Sequence, residues 1–525
     1  MAKGKIVKAA GAISLATSFS RILGYIKDMI LAKYFGATGL SDVFFVAFRI
    51  PNLLRELFAE GSMSSAVIPV LKESQVKNGV EETKKIIKSL FTFIILIVGI
   101  ITLLGIIFSP TIVSLIAPGF TGNPEKFELT VLLTRIMFPF LLFISLAALT
   151  MGVLNTNNVF FVPALAPCFL NIAIIILVIG FSSFFFNPII SVAVGVTLGG
   201  ILQWAIQIPS FYKNGFKFGI AQYHPALKKI AILIIPTTLS MAVNQINIFV
   251  STIIASFLPE GSVTYLYYSM RLIQLPIGIF GVAVGMAVLP TFSGHIAEGK
   301  KDLLTKDFTF ALKFLFFLTI PSTLGLIMLK EPIVNTLFQR GAFDLNATLN
   351  TASALLFYSL GIIGTVGSRT VTATFYSIQD TKTPVICATT GMLINILVSL
   401  LLMNSLKHNG LALAYSLAAT TQFFMLGIFI RRKIPEISFL SILPSFIKST
   451  VASIFSIGIA KLICQINPEL WVHSEKMLLK FLWLGASIAV AVILYFILCY
   501  LMKHEELSYI LKKMRLFKNR RNLCI

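Results

Sequence analysis

Long apolar runs dominate the chain, and glycine, proline, asparagine and charged residues interrupt them in short clusters. The runs do not alternate with period 2 as membrane β-strands would, and each is long enough to cross a bilayer, which takes about 20 helical residues. The pattern therefore predicts an all-α, polytopic membrane protein with fourteen transmembrane helices. We place these helices at 9–35, 41–71, 86–117, 128–154, 159–182, 186–212, 228–258, 262–292, 307–330, 346–378, 383–405, 410–431, 443–465 and 477–502.

Composition agrees with a membrane protein, and the loop charges predict its orientation. Of the 525 residues, 57% are hydrophobic and 12% are charged, whereas soluble proteins carry about 25% charged residues. The net charge of +22 comes mainly from alternate connections, such as 72–88, 213–229 and the tail 503–521. The other connections hold only four basic residues: Lys126, Arg340, Lys407 and Lys476. By the positive-inside rule both termini lie in the cytoplasm, and the charge indicates orientation rather than nucleic-acid binding.

No sequence motif predicts an enzyme, a metal site or a cofactor. The five cysteines and five histidines lack the spacing of metal ligands. Walker A, HExxH and GxSxG motifs do not occur in the sequence. We therefore expect a protein without catalytic residues, bound metal or cofactor.

An internal repeat is visible along the chain. The segment from Gly39, GLSDVFFVAFRI, resembles the segment from Gly261, GSVTYLYYSMRL, at an offset of 222 that places Arg49 on Arg271. Two proline pairs share an offset of 221, namely Pro69 with Pro290 and Pro163 with Pro384. The shared offset predicts a duplicated six-helix unit.

Because six is an even number, the two copies should share one orientation and be related by a pseudo-twofold axis along the membrane normal. The predicted N-terminal lobe is 1–220, with helices one to six, and the C-terminal lobe is 221–435, with helices seven to twelve. Residues 436–525 would hold helices thirteen and fourteen and a basic cytoplasmic tail.

Charged residues lie inside several predicted helices, beginning with the stretch SRILGYIKD at Ser20–Asp28. Each Arg, Lys or Asp at the centre of such a helix costs about 2.5–3.5 kcal/mol, so these side chains should face a water-filled cavity or one another. The neighbouring Pro51 and Asn52 also lie in mid-helix, where a proline removes one backbone hydrogen bond and kinks the helix. The charged set comprises Arg21, Lys27, Asp28, Asp42, Arg49, Arg55, Glu56, Glu60, Arg271 and Arg369.

Two explanations of this set remain open. In one, the cations and carboxylates only neutralise each other between helices. In the other, they line a cavity that binds a ligand, and the surplus of guanidinium groups suits a phosphate, which arginine can bind bidentately. Ionisable residues within a membrane usually mark a functional site, which favours the second explanation.

The same residues resemble the signature of a transporter family. The resemblance rests on SRILGYIKD, on DVFFVAFRIPNLLRELFAEGSMSSAVIP, and on YYSMRLIQLPIGIFGVAVG and YSIQDTKTP further along. These motifs are similar to those of the bacterial lipid II flippases, the MurJ or MviN family. The resemblance implies the multidrug/oligosaccharidyl-lipid/polysaccharide (MOP) exporter superfamily. It also implies transfer of lipid II, the undecaprenyl-pyrophosphate-linked peptidoglycan precursor, from the inner to the outer leaflet.

The resemblance also implies site residues. The four cations of the family's central cavity fall here on Arg21, Lys27, Arg55 and Arg271. At the second of these positions the family commonly has arginine, so lysine keeps the charge without the bidentate contact. Supporting cavity residues are expected at Asp28, Asp42, Arg49, Asn52, Glu60 and Arg369. The last two helices are similar to those that form a lipid-tail groove in the family.

We therefore expect a lipid II flippase of the bacterial cytoplasmic membrane that works by alternating access in cell-wall synthesis. Its expected partners are lipid II, membrane lipids and enzymes of cell-wall synthesis, and no nucleic acid. The alternatives are a flippase for another polyprenyl-linked glycan, a multidrug antiporter of the same superfamily, and a non-transporting scaffold for cell-wall enzymes. An antiporter for cationic drugs should carry net acidic residues in its cavity, and the arginine surplus argues against it.

Overall fold

The computed structural model describes residues 2–58, 62–472, 476–509 and 511–512. Within these ranges all regular structure is helical. Contacts within the chain group it into two compact units, unit 1 (Met1–Thr264) and unit 2 (Tyr265–Ile525). The fold is therefore all-α, as predicted.

Eleven α-helices precede the end of unit 1. Their bounds are α1 Ala2–Phe35, α2 Gly39–Phe58, α3 Ser62–Lys77, α4 Gly79–Ile107, α5 Ser109–Ile116, α6 Pro124–Met137, α7 Pro139–Thr156, α8 Phe161–Phe181, α9 Ile190–Ala205, α10 Ile208–Lys213 and α11 Ala226–Ser256.

The remaining described helices lie in unit 2, apart from the first residues of α12. Their bounds are α12 Ser262–Pro276, α13 Val282–Ala297, α14 Lys301–Met328, α15 Lys330–Phe338, α16 Leu345–Ser359, α17 Ile362–Ser377, α18 Lys382–Leu406, α19 His408–Lys433, α20 Leu443–Gln465, α21 Glu469–Val472 and α22 Met477–Leu501. A π-helical turn, Ile277–Gly281, joins α12 to α13.

In the described part of the chain, all fourteen predicted spans coincide with helices, and several of them consist of two helices in series. The span predicted at 128–154, for example, is α6 followed by α7, and the break falls at Phe138, just before Pro139. Proline lacks an amide hydrogen and is well tolerated in the first turn of a helix, so the chain restarts a helix there. Among the described residues, eleven spans are long and apolar enough to cross a membrane. The predicted spans outside that set lie over α1, α2–α3 and α11.

The helix bounds repeat along the chain at the offset seen in the sequence. α5 begins 221 residues before α15, and α6 begins 221 residues before α16. A residue in the left-handed backbone region precedes both α8 and α18, namely Asn158 (φ 62°) and Gln379 (φ 60°), again 221 residues apart. The agreement of helix ends and of an unusual backbone conformation supports the predicted duplication.

In unit 1, α11 packs against α2, α3, α4 and α5. Its start is held by an ion pair of 2.6 Å between Lys229 Nζ and Glu73 Oε2 at the end of α3. The preceding linker is bound to α4, where the Ser89 hydroxyl donates to the Gln222 carbonyl at 2.7 Å. These contacts explain why α11 belongs to unit 1, whereas the predicted lobes, divided at 220, follow the sequence repeat. That lobe division and its pseudo-twofold axis stay predictions.

Close helix packing in unit 1 depends on small residues. A Cβ atom at Gly195 of α9 would lie 2.9 Å from the Cα atom of Ile174 on α8, and one at Gly199 would lie 2.8 Å from the Cα atom of Leu170. Glycine thus lets the two backbones approach, as is common between helices in membranes. In unit 2 a glycine likewise allows close approach, because a Cβ atom at Gly361, just before α17, would lie 2.7 Å from the Cα atom of Ser416 on α19.

Candidate functional site

The polar cluster of α2 surrounds the guanidinium of Arg55. Pro51 lies inside this helix, and the following turn carries Asn52, Arg55 and Glu56. Arg55 Nε donates to Asn52 Oδ1 at 3.1 Å, and Arg55 Nη2 lies 3.6 Å from Glu56 Oε1. Asn52 Nδ2 donates to the same Glu56 oxygen at 3.0 Å. The Arg55 side chain is 18% exposed and that of Glu56 33%, so the cluster is half-buried and accessible to a ligand.

A side chain of α11 completes this cluster. Gln245 Nε2 donates to Glu56 Oε2 at 2.5 Å, and Gln245 is itself buried. The Glu56 carboxylate therefore connects α2 to α11 while its other oxygen holds Asn52 and Arg55. Glu56 was not among the predicted site residues, although its spacing of seven from Arg49 places both on one helical stripe.

A cavity of about 390 Å³ lies beside this cluster in unit 1. Its polar lining residues are Arg49, Asn52, Glu56 and Gln245. Its walls are apolar and come from α2, α4, α5 and α11, together with Phe138. The size and the few polar groups in an apolar lining are typical of sites for organic ligands.

The predicted site residues of α1 lie along one helix. Lys27 Nζ and Asp28 Oδ1 form an ion pair of 3.0 Å, in which Asp28 is completely buried and Lys27 is mostly buried. Arg21 is exposed, nearly two turns earlier on the same helix. The charge of Lys27 is thus compensated locally, whereas Arg21 is open to a partner.

Asp42 lies at the start of α2, and its carboxylate is turned to the chain near Gly261. Oδ2 accepts a hydrogen bond from the Gly261 amide at 2.7 Å. Oδ1 accepts from the amide of Thr264 at 2.9 Å and from its hydroxyl at 2.7 Å. Lys126 Nζ lies 3.9 Å from Oδ2. This predicted cavity residue is therefore buried among donors of the protein itself.

In unit 2, Arg271 is half-buried on α12, five residues before Pro276 and the π-helical turn. Arg369 on α17 is exposed, and its Cδ atom would lie 3.6 Å from a Cβ atom placed on Gly281, the last residue of that turn. Glu60 lies outside the described residues. The described residues contain no group of His, Cys, Asp or Glu that could hold a metal ion.

These features define a class of protein. Apolar helices that cross the membrane many times, a duplicated architecture and a half-buried guanidinium in the apolar zone are typical of a multi-pass transporter. The fold resembles that of an inward-facing multidrug resistance MATE family transporter of the MOP superfamily, with a TM-score of 0.64 over 80% of this chain and 95% of that one. At 15% identity this likeness concerns the fold alone.

The family follows from closer similarities. The sequence matches the family "Lipid II flippase MurJ" over residues 31–513. It is 37% identical over 431 residues to the probable lipid II flippase MurJ of Buchnera aphidicola subsp. Baizongia pistaciae, covering 80% of this chain and 82% of the relative. It is 34% identical over 496 residues to the probable lipid II flippase MurJ of Rickettsia prowazekii, covering 94% and 96%.

A solved structure agrees with these relatives. The structure of "Lipid II flippase MurJ, inward closed conformation" matches with a TM-score of 0.77 and 32% identity, over 94% of this chain and 99% of that one. The protein belongs to the lipid II flippase MurJ family, as the sequence motifs predicted.

Proposed function

We propose that this protein flips lipid II from the inner to the outer leaflet of the bacterial cytoplasmic membrane during cell-wall synthesis. Membership of the MurJ family supports this substrate. The observation on which the chemistry rests is the half-buried guanidinium of Arg55, whose partners Asn52 and Glu56 line a largely apolar cavity. The loop charges support an orientation with both termini in the cytoplasm.

The headgroup of lipid II carries a pyrophosphate, and Arg55 is suited to bind it. In the structure Arg55 donates to the neutral amide of Asn52, and the carboxylate of Glu56 lies at the long distance of 3.6 Å from its Nη2 atom. A pyrophosphate brings more negative charge and several oxygens in a geometry that matches two N–H groups of arginine. It should therefore replace Glu56 at Arg55. We propose that Arg21, Lys27 and Arg271 contribute the other positive charges to the headgroup site.

The position of Glu56 provides a route from ligand binding to helix movement. Its carboxylate is shared between Arg55 on α2 and Gln245 on α11. When phosphate occupies Arg55, Glu56 loses its ion pair with that guanidinium. The interaction of Glu56 with Gln245, which links α2 to α11, then changes in strength. Alternating access then requires that the outward-facing state bind the headgroup differently from the inward-facing state. An inside-negative membrane potential supplies about 2.3 kcal/mol per charge per 100 mV to outward movement of the anion.

The test is replacement of Arg55 and of Arg271 by alanine in cells depleted of the native protein, at matched expression. Loss of one charge-assisted contact of about 1.5–3 kcal/mol should reduce lipid II in the outer leaflet on the order of tenfold or more. Arg135→Ala is the matched control, because this exposed arginine of α6 donates instead to Ser109 Oγ at 2.9 Å. Normal externalisation of lipid II by both R55A and R271A would contradict the proposed site. If another polyprenyl-linked glycan accumulates while lipid II does not, the substrate assignment is wrong.

A further inference from the structure

A second cluster of cations lies in unit 2, where α15 ends and α22 begins. Lys480 Nζ, in the first turn of α22, donates to Asn335 Oδ1 of α15 at 2.6 Å. Asn335 in turn donates from Nδ2 to the Trp471 carbonyl at 2.7 Å. Arg340 Nη2 donates to two of the last carbonyls of α15, both at 2.7 Å, and its Nη1 lies 3.3 Å from the sulfur of Met477. Arg340 and Lys480 thus flank the same helix ends.

The cluster has an excess of positive charge. Lys480 is only 2% exposed, and the acceptor it contacts is a neutral amide. Among the described residues, no carboxylate forms an ion pair with Lys480 or Arg340. Of the acids near Arg340 along the chain, Glu331 lies 3.9 Å from Lys330 and Asp344 accepts from the amide of Ala347. Glu475, the acid nearest to Lys480 in sequence, lies outside the described residues.

This charge is unusual for a buried position. A buried ammonium is costly unless it is paired, and the cost falls when an anion is bound. The carbonyls at the end of α15 offset part of the charge of Arg340, as cations at helix C-termini do. The positive charge of Lys480 is not offset in this way, because Lys480 lies at the N-terminus of α22, where the helix dipole is positive. Lys480 donates one hydrogen bond to the protein, to Asn335, although its ammonium has three N–H groups. The two cations can therefore bind an anion in addition to their present contacts.

We propose that Arg340 and Lys480 bind the phosphate of an anionic phospholipid headgroup. Arg340 is half-buried and provides the N–H groups that the phosphate contacts. Lys480 is buried and attracts the phosphate through its positive charge. The connections around Arg340 and Lys476 belong to the non-cytoplasmic set in the topology predicted from loop charges, so the lipid lies in the outer leaflet. On the sides of α22 next to Lys480, Met477 and Phe481 are apolar and exposed, which suits the acyl chains of such a lipid.

The test measures binding of phosphatidylglycerol to the purified full-length protein by its effect on thermal unfolding, with phosphatidylcholine as the zwitterionic reference. In Arg340→Gln and Lys480→Met, the concentration of phosphatidylglycerol needed for half-maximal stabilisation should rise on the order of tenfold. Lys476→Gln is the control, because Lys476 is an exposed lysine in the same connection and should change this concentration less than about twofold. Arg340→Lys should retain part of the effect, since it keeps the charge.

A parallel titration with inorganic phosphate identifies the source of the anion. If phosphate alone stabilises the protein and displaces phosphatidylglycerol, the site binds free phosphate and its assignment to a lipid is wrong. If phosphatidylglycerol stabilises all variants equally, the cations are structural donors to Asn335 and α15, and the proposal is overturned. Should Lys480→Met fail to fold, Arg340→Gln decides the question, because its side chain is partly exposed.

Discussion

Replacement of Asp42 tests whether this carboxylate stabilises the fold by joining the start of α2 to the chain near Gly261. Asp42 is 1% exposed and accepts hydrogen bonds from the Gly261 amide and from the amide and hydroxyl of Thr264. All three donors lie more than two hundred residues away in sequence. Sequence similarity places Asp42 among the cavity residues, so its structural and transport roles need to be separated.

The expected magnitudes follow from these contacts. Asp42→Ala leaves three buried donors and Lys126 without their acceptor, and we expect a loss of about 3–5 kcal/mol, as for other broken buried charge contacts. Asp42→Asn keeps the size but turns an NH₂ group toward one of the donors, which should cost about 1–3 kcal/mol. Thr264→Val removes only the hydroxyl and should cost about 1 kcal/mol. The three terms share one carboxylate and are not additive.

The assay is thermal unfolding of the purified full-length variants in one detergent, with Glu125→Gln as control because Glu125 is an exposed acid of α6. The melting temperature should fall most for Asp42→Ala, less for Asp42→Asn and least for Thr264→Val. Outer-leaflet lipid II is then measured in cells at a temperature where each variant is folded. A melting temperature of Asp42→Asn equal to that of the unchanged protein would refute the reasoning. A loss of flipping without loss of stability would indicate that Asp42 contributes to headgroup binding rather than to the stability of the fold.

Two further predictions concern helix packing and pH. Gly195→Ala should destabilise unit 1 by about 1–3 kcal/mol, because the new Cβ would lie 2.9 Å from the Cα atom of Ile174. Gly180→Ala, which meets nothing within 4 Å, should be neutral or slightly stabilising in the same unfolding measurement. Burial alone would raise the pKa of Asp380, but hydrogen bonds, chiefly from Lys433, outweigh it and hold that pKa below its usual range. The ionised Asp380 should therefore stabilise the fold fully above about pH 4, and this stabilisation should decline as the pH falls further. The melting temperatures of Asp380→Asn and of the unchanged protein should then converge in acid. A difference that stays constant with pH would contradict this.

The sequence was sufficient for the helices, and the helix ends support the predicted duplication. Apolar runs of membrane length leave the backbone no alternative to helix, and the offset of 221 recurs in the starts of α5 and α15 and of α6 and α16. The short helix α15 was not predicted, because nine residues hold too few turns for a hydrophobic period. Proline marked some of the breaks within a span, as at Pro139 and Pro209, whereas the break between α16 and α17 falls at Leu360–Gly361 without a proline.

The site was only partly predictable. Motif similarity identified Arg55, and helical spacing placed Arg49 and Glu56 on one stripe. Spacing within one helix cannot identify a contact with a distant helix, so the hydrogen bond from Gln245 to Glu56, across 189 residues, was not foreseen. The same limit applies to Asp42, whose partners lie 219 and 222 residues away.

The two repeats differ where the proposed chemistry lies. At the offset of 222, Arg49 corresponds to Arg271, but Arg55 corresponds to Ile277 and Glu56 to Gly278, the first residues of the π-helical turn. The second copy thus keeps one arginine and has the polar Gln274 at the position of Asn52, but it lacks charged counterparts of Arg55 and Glu56. π-Turns within helices are frequent at functional sites. A purely structural role for the charges would favour similar compensation in both copies. The divergence instead indicates that the Arg55–Glu56 cluster belongs to one copy and the π-helical turn to the other, rather than to the repeat itself.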